Sequence, residues 1–239
     1  MKKLIYILLL LSACKSPEKK VVTTAKEAKP IDTVYIEKDT TKDYYHTVYV
    51  EKDRSAKNYK TLLDFKYDHD DSIAYNAGYK VLKVRYRKPL KKYNITGLPK
   101  EWLPLYLYKG NYYLYSPCNA ANIGMRVLTD STLIYYSTDG PEPKPILDFK
   151  KLNANKYVLK SLPIYQFVKS SNITIYIIDP EKMIAVWDDK NLPEPYRYQL
   201  YVAKESAGNF DMIVNQSINT KLPEYHFDKI NFKALLKGK

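Results

Sequence analysis

The chain has 239 residues, a formal net charge of +13 and two cysteines. This length suits one domain with a substantial hydrophobic core, or two small ones, and two cysteines exclude a scaffold held together by many disulfides. The excess of positive charge predicts anionic partners. The alternative is that the charge only keeps the protein soluble.

The first residues of the chain have the pattern of a secretory signal. A basic start precedes an apolar run over residues 4–11, and the small residues Ser12 and Ala13 follow the run. A membrane-spanning helix needs about 20 apolar residues, so this run is too short to span a bilayer. We therefore predict a signal peptide over residues 1–13 rather than a membrane span.

The end of this segment, Leu11-Ser12-Ala13-Cys14, resembles the lipobox of bacterial lipoproteins. The resemblance implies that Cys14 becomes the mature N-terminus and carries diacylglycerol on its thiol. Two or more acyl chains anchor a protein stably in a membrane. A simple cleaved signal is the alternative, but it does not require a cysteine at this position.

The lipoprotein resemblance also implies a location. Enterobacterial lipoproteins that stay in the inner membrane carry Asp after the lipidated cysteine, and Lys15 at this position resembles outer-membrane sorting. We therefore expect an outer membrane-anchored protein of the cell envelope, periplasmic or surface-facing, without nucleic acid as a partner. With Cys14 lipidated, Cys118 has no partner for an internal disulfide.

The segment that follows the anchor is polar and contains a repeat. Residues 33–39, TVYIEKD, return as TVYVEKD over residues 47–53. The heptad seam of a coiled coil through this segment is only half apolar, whereas the alternation of side chains favours extended strands. Because isolated hairpins are rarely stable in water, we predict a solvated tether over residues 14–58. A hairpin between the two repeats is the alternative.

The folded domain is predicted over residues 59–239, where short runs of alternating apolar and polar residues recur between turn residues. The pattern predicts an all-β fold, an antiparallel up-and-down meander that forms a barrel or a strongly curved sheet. A β-sandwich is the alternative. The order of the strands resembles that of lipocalin-like domains, a resemblance of fold class alone. The predicted strands cover residues 82–86, 105–108, 112–115, 125–128, 132–136, 145–149, 157–159, 173–178, 183–187, 198–203 and 210–214.

Three local patterns add detail to this domain. The pair Gly110-Asn111 between two Tyr-rich runs predicts a two-residue hairpin turn. Residues 60–67 are compatible with a helix or a first strand, and residues 229–236 predict a short C-terminal helix.

The sequence carries no motif for catalysis or cofactor binding. Residues 67–71, Tyr-Asp-His-Asp-Asp, could bind a cation, but we favour a solvated loop because adjacent strand residues point to opposite faces. Cys118 would need a neighbouring base to act as a nucleophile, and the three histidines stand alone in the sequence. We therefore predict no catalytic residue, metal site or cofactor.

The candidate binding surface consists of basic and aromatic residues. Arg85 and Arg87 share one face of the predicted strand 82–86, opposite Leu82, Val84 and Tyr86. Tyrosine is abundant, with 25 in the chain, and the predicted hairpin places some of these rings on one exposed face. The tyrosines of this candidate face are Tyr106, Tyr108, Tyr113 and Tyr115.

These observations favour a lipid-anchored, non-catalytic binding or structural module for an anionic envelope component, a polymer or a lipid. An envelope hydrolase with dispersed carboxylates is one alternative, since such pairs leave no local motif. A lipocalin-like carrier of a small apolar ligand is the other.

Overall fold

Strands form most of the secondary structure. The computed structural model describes residues 34–39, 46–64, 66–86, 89–118, 124–137, 139–162, 170–217 and 225–239. In these ranges the strands are β1 (Val34–Asp39), β2 (His46–Glu51), β3 (Glu101–Pro104), β4 (Tyr106–Tyr108), β5 (Asn111–Ser116), β6 (Arg126–Leu128), β7 (Thr132–Ser137), β8 (Gly140–Asn153), β9 (Lys156–Ser161), β10 (Ser171–Asp179), β11 (Ile184–Asp189), β12 (Tyr198–Ala203) and β13 (Met212–Ser217). The helices are α1 (Lys57–Leu63), α2 (His69–Tyr86), α3 (Glu194–Arg197) and α4 (Phe232–Leu235), and a 3-10 helix covers Lys204–Asn209.

Eight strands close into a barrel in the order β3-β6-β7-β8-β9-β10-β11-β12. Each neighbouring pair is antiparallel, and β12 pairs with β3 to complete the ring. Apart from the excursion to β4 and β5, strands that are adjacent in the barrel follow one another in the chain. The predicted up-and-down antiparallel barrel is therefore confirmed.

Alternate residues of these strands fill the barrel with apolar and aromatic side chains. The ring centroids of Trp102 and Trp187 are 5.9 Å apart, and those of Trp187 and Tyr201 are 5.3 Å apart. One end is closed by the segment before β3, where the Tyr157 hydroxyl donates to the Gly97 carbonyl at 2.8 Å. An eight-stranded barrel is about wide enough for side chains to fill, and here aromatic rings of the neighbouring strands β11, β12 and β3 pack together inside it.

A second sheet, in the order β1-β2-β13-β5-β4, packs against the outside of the barrel. Leu114, Met212 and Val214 of this sheet share one buried cluster with Val186 and Leu200 of the barrel. The pairing of β13 with β5 is parallel, whereas the other pairings in this sheet are antiparallel. Residues 31–239 form one compact unit.

The prediction of a solvated tether is wrong for residues 46–51. Strand β2 lies between β1 and β13, and the side chains of Val48 and Val50 are 1% and 8% exposed. The hairpin between the two repeats, which was the alternative, is present as the antiparallel pair β1–β2. An isolated hairpin is marginal, but this one gains a third strand and a buried face from β13. The folded unit therefore begins before residue 59, and residues 1–33 lie outside the described part of the chain.

The predicted strand over residues 82–86 is also wrong, because these residues end helix α2. Asp68 begins the helix, since its side-chain Oδ1 accepts from the backbone N–H of Asp71 at 2.8 Å. Val84 was expected on the buried face with Leu82. It is instead 76% exposed while Leu82 is fully buried, which fits a helical repeat. The predicted loop over residues 67–71 is thus the start of a helix.

The two short helices that the sequence indicated are present. Residues 60–67 were compatible with a helix or a strand, and α1 occupies Lys57–Leu63 with Tyr59 and Leu62 buried. The predicted C-terminal helix is α4, which begins at a cap where the Asn231 side chain accepts from the Ala234 N–H at 3.0 Å.

The hairpin β4–β5 turns one residue earlier than predicted. Tyr108 pairs with Asn111, so the two turn residues are Lys109 and Gly110. Both have positive φ angles, 48° and 80°, as a type I′ turn requires.

We expect Gly110→Ala to lower the free energy of unfolding by about 1 kcal/mol, because an L-residue is strained at this φ. A Cβ at Gly110 would meet no atom within 4 Å, so the cost is conformational rather than steric. Lys109→Gly should instead leave stability unchanged or raise it. Urea denaturation of both variants separates the two effects, and an unchanged midpoint for Gly110→Ala would contradict this account of the turn.

Candidate functional site

A one-sided distribution of charge marks one region of the chain. Between Asp71 and Glu101 the sequence has no acidic residue. It has eight basic residues in the same interval, Lys80, Lys83, Arg85, Arg87, Lys88, Lys91, Lys92 and Lys100. The C-terminal half of α2 carries the first three of them, so this helix is the natural place to look for a binding surface.

Helix α2 also exposes an apolar stripe. Ile73, Val81 and Val84 are 55%, 46% and 76% exposed, and Ala77 between them is exposed as well. With 3.6 residues per turn, these four positions fall within about 80° of one another around the helix. Leu82, which is fully buried, faces the opposite way. The stripe therefore points away from the barrel.

The basic residues of α2 flank this stripe on both sides. Lys80 and Lys83 follow one border and Arg85 follows the other, and all three are exposed. The ammonium of Lys83 lies 5.1 Å from the centroid of the Tyr79 ring, so its stem lies along the helix surface. An apolar stripe between basic borders is the arrangement of helices that lie on a membrane surface.

Contacts with the barrel hold α2 in place at its N-terminal half. The Tyr136 hydroxyl of β7 donates to the carboxylate of Asp71, and the Tyr67 ring stacks on that of Tyr136 at 6.3 Å. Burial, and then this hydrogen bond, raise the pKa of the Tyr136 hydroxyl, which therefore stays a donor. At Gly140 of β8 the helix comes close, since a Cβ there would lie 3.4 Å from that of Ala74. The outward direction of the stripe is thus fixed by the fold.

The predicted site residues are distributed as follows. Arg85 is exposed on α2, although on a helix rather than a strand, and Arg87 lies outside the described residues. Sequence reasoning missed Lys80, Lys83 and the apolar stripe. A helical signal was present, because Ile73 begins an apolar repeat with helical spacing. The alternation of polar and apolar residues over 82–86 indicated a strand instead.

The four tyrosines of the predicted aromatic face form a half-buried cluster instead. Tyr106 and Tyr115 pack against Phe227 with centroid distances of 4.5 and 5.0 Å, and Tyr108 packs against Tyr225 at 5.9 Å. Tyr113 packs on Tyr108. The C-terminal segment covers the face and is joined to β4 by the bond from Asp228 N–H to the Leu107 carbonyl. These rings therefore join the C-terminus to the second sheet.

The remaining candidate residues make contacts that support the fold. Asp68 and Asp71 serve the start of α2 and the contact with Tyr136, as described above. In the described part of the chain, no three His, Cys, Asp or Glu side chains are grouped so as to hold a metal ion. Cys118 follows β5 and is half-buried.

No helix among the described residues combines the length and the apolar character needed to cross a membrane. No family model, curated protein or solved structure matches the sequence.

Proposed function

We propose that the protein is a lipid-anchored, non-catalytic binding module of the cell envelope, and that helix α2 binds an anionic lipid surface. The observation that carries the proposal is the exposed stripe of Ile73, Val81 and Val84 with Lys80, Lys83 and Arg85 along its borders. Lipidation of Cys14 would place the domain at the outer membrane, on its periplasmic or its outer side.

Charge and apolar contact both favour a lipid surface. A Lys or Arg near an anionic bilayer contributes about 1 kcal/mol, so the three basic residues of α2 contribute about 3 kcal/mol. A soluble anionic polymer would use the same charges, but it offers no apolar layer for the stripe. Exposed apolar side chains at the centre of a basic face therefore favour the bilayer over the polymer.

Replacing Lys80, Lys83 and Arg85 together with Ser should weaken binding to phosphatidylglycerol vesicles by up to about a hundredfold. The chain that begins at residue 15 suits the experiment because it keeps every described element and lacks Cys14. Wild-type binding should fall steeply between about 0.05 and 0.5 M salt, since exposed charges are screened within about 8 Å at physiological salt. Vesicle sedimentation measures both effects, and phosphatidylcholine vesicles should bind far less.

A matched control removes the same charge elsewhere. Lys160, Lys182 and Lys190 are exposed outside α2, and their replacement with Ser should leave vesicle binding nearly unchanged. Substitutions at exposed positions alter stability by less than about 0.5 kcal/mol each, so both triple variants should stay folded. Equal loss in both would mean that net charge alone binds the vesicles.

The apolar stripe distinguishes a lipid from a polymer. Ile73→Ser with Val84→Ser should weaken vesicle binding while leaving binding to soluble heparin, a simple polyanion, unchanged. If this pair of substitutions has no effect on vesicles, or if the wild type binds only heparin, the lipid proposal is wrong.

A further inference from the structure

One end of the barrel interior carries buried charged residues. Arg126 of β6 pairs with Tyr135 of β7, and Tyr135 pairs with Glu142 of β8. Lys144 is the next residue of β8 on the same face as Glu142. Asp189 ends β11 on the same face as Trp187, which faces the barrel interior. We call Arg126, Tyr135, Glu142, Lys144 and Asp189 the polar end of the barrel.

The two cations of the polar end are buried. Arg126 and Lys144 are 8% and 9% exposed. The guanidinium carbon of Arg126 lies 3.9 Å from the centroid of the Tyr135 ring, and the ammonium of Lys144 lies 4.0 Å from it. Such contacts with an aromatic face stabilise a buried cation only in part, because removing a charge from water costs several kcal/mol.

Among the described residues, neither cation donates a hydrogen bond to a carboxylate. Arg126 donates to the carbonyl oxygen of Gly124 at 2.8 Å and to Oε1 of Gln199 at 3.3 Å, and no carboxylate of the described residues lies within 4.0 Å of it. Lys144 is 3.8 Å from Glu142, at the outer limit of an ion pair. Burial lowers the pKa of Lys144, and Glu142 opposes that shift. Lys144 therefore keeps N–H donors for a further acceptor.

Three buried polar atoms on the inner face have no hydrogen-bond partner among the described residues. They are Nε1 of Trp187, Oδ2 of Asp189 and Oγ of Ser161, whose residues are 3%, 5% and 0% exposed. Trp102 differs from Trp187, because its Nε1 donates to the Pro99 carbonyl at 2.8 Å at the closed end of the barrel. A buried polar atom without a partner costs about 1–3 kcal/mol, so three of them in one region require an explanation.

In the described part of the chain, the polar end and Trp187 contain both a carboxylate oxygen without a donor and N–H groups without an acceptor. Oδ1 of Asp189 accepts from the backbone N–H groups of Asn172 and Asn191, whereas Oδ2 is left for a donor. Lys144 and the Trp187 N–H are left for an acceptor. Two cations and two carboxylates give the polar end no net charge, so a ligand of no net charge keeps the balance.

We propose that the polar end binds a small zwitterion that carries an ammonium and a carboxylate, an amino acid or a short peptide with free termini. Its carboxylate meets Lys144 and the Trp187 N–H, and its ammonium meets Oδ2 of Asp189. A simple anion would leave Oδ2 of Asp189 without a donor, and a simple cation would leave the Trp187 N–H without an acceptor. The site is separate from α2, so either proposal can fail without the other.

The test uses tryptophan fluorescence, because Trp187 is at the site and the chain has only two tryptophans, both in the barrel. The probe is alanylalanine, titrated into the chain that begins at residue 15. We expect a saturable change in fluorescence, and at least about tenfold weaker binding when the amine is acetylated or the carboxyl is amidated. Acetate and phosphate should also bind at least about tenfold more weakly than the free dipeptide.

Two substitutions separate the contributions that the amino and carboxyl groups of the dipeptide make to binding. Asp189→Asn keeps an oxygen for the backbone N–H groups of Asn172 and Asn191 but removes the charge that meets the ammonium. It should therefore weaken binding of free alanylalanine while leaving binding of the acetylated form unchanged. Lys144→Gln should weaken both. Asp148→Asn, on the outer face of β8 where Asp148 pairs with Lys150, is the control and should change neither.

Results with the unmodified chain alone can overturn the proposal, whatever the folding of the variants. Equal binding of the free and blocked dipeptides would show that the termini are not recognised. Stronger binding of acetate or phosphate would make the polar end a simple anion site. No saturable change up to about 10 mM of any probe would mean that water satisfies these groups and that the site binds no such ligand.

Discussion

A chain that begins at residue 52 should not fold to a stable structure, whereas one that begins at residue 31 should. The shorter chain loses β2, which pairs with all six residues of β13. It also loses the buried side chains of Val48 and Val50 and the bond from His46 Nε2 to Asn215 Oδ1 at 3.0 Å. Burial of a valine contributes about 1.5–3 kcal/mol, so the two valines alone approach the 5–15 kcal/mol that stabilises a typical domain.

We expect the stability of the truncated chains to fall as more of β1 and β2 is removed. A chain that begins at residue 46 lacks only the edge strand β1, whose Val34 and Tyr35 are each 49% exposed, and it should lose the least stability. The chain from residue 52 exposes the unpaired edge of β13 and should aggregate or unfold at low urea. Circular dichroism with urea and size-exclusion chromatography measure these outcomes. Equal midpoints for the chains from residues 31 and 52 would mean that β2 is not part of the stable core.

The barrel could be predicted from the sequence because its signals are local. Short runs of apolar or alternating residues mark the strands from β6 to β12, and a short turn connects most of them to the next strand, as at Asp179-Pro180-Glu181-Lys182. In an up-and-down meander, neighbours in the chain are neighbours in the sheet, so local order also gives the topology.

The parts that could not be predicted depend on contacts between distant residues. Nothing near residues 46–51 indicates that β13, more than 160 positions later, completes their sheet, although His46 and Asn215 are in contact. Helix α2 was missed because five residues with alternating polarity fit both a strand and the end of a helix. The cap formed by Asp68 decides between them, and only a window reaching back to Ile73 shows the helical repeat.

The polar end of the barrel could not be predicted from the sequence either, because it also depends on contacts between distant residues. Arg126, Lys144 and Asp189 come from three different strands and are surrounded by unremarkable neighbours. Only closure of the barrel brings them onto one inner face. A charged residue in an alternating strand is usually solvated, so no local pattern separates these three from the many exposed basic residues of the chain.

Replacement of Cys14 with Ser should leave the precursor unlipidated and uncleaved at this position. The resemblance to a lipobox implies at least two acyl chains on this residue, and each buried CH₂ contributes about 0.8 kcal/mol. The basic residues of α2 supply about 3 kcal/mol in total, which corresponds to binding weaker than about 1 mM. Such an interaction cannot hold a protein on a membrane alone, but it can orient a domain that a lipid already holds there.

The two proposed membrane contacts predict an asymmetry between variants. Cys14→Ser should give a chain that keeps residues 1–13 and carries no lipid, while replacement of Lys80, Lys83 and Arg85 with Ser should leave the lipidated protein in the membrane fraction. Cys118→Ser is the matched control and should remain in the membrane fraction as well. Fractionation of cells gives the distribution, and the intact mass of the membrane-extracted protein should exceed that of residues 14–239 by the attached lipid. Attached lipid on the Cys14→Ser protein, or a wild-type mass that shows an unmodified Cys14 or cleavage at another position, would contradict the anchor on which the proposed location depends.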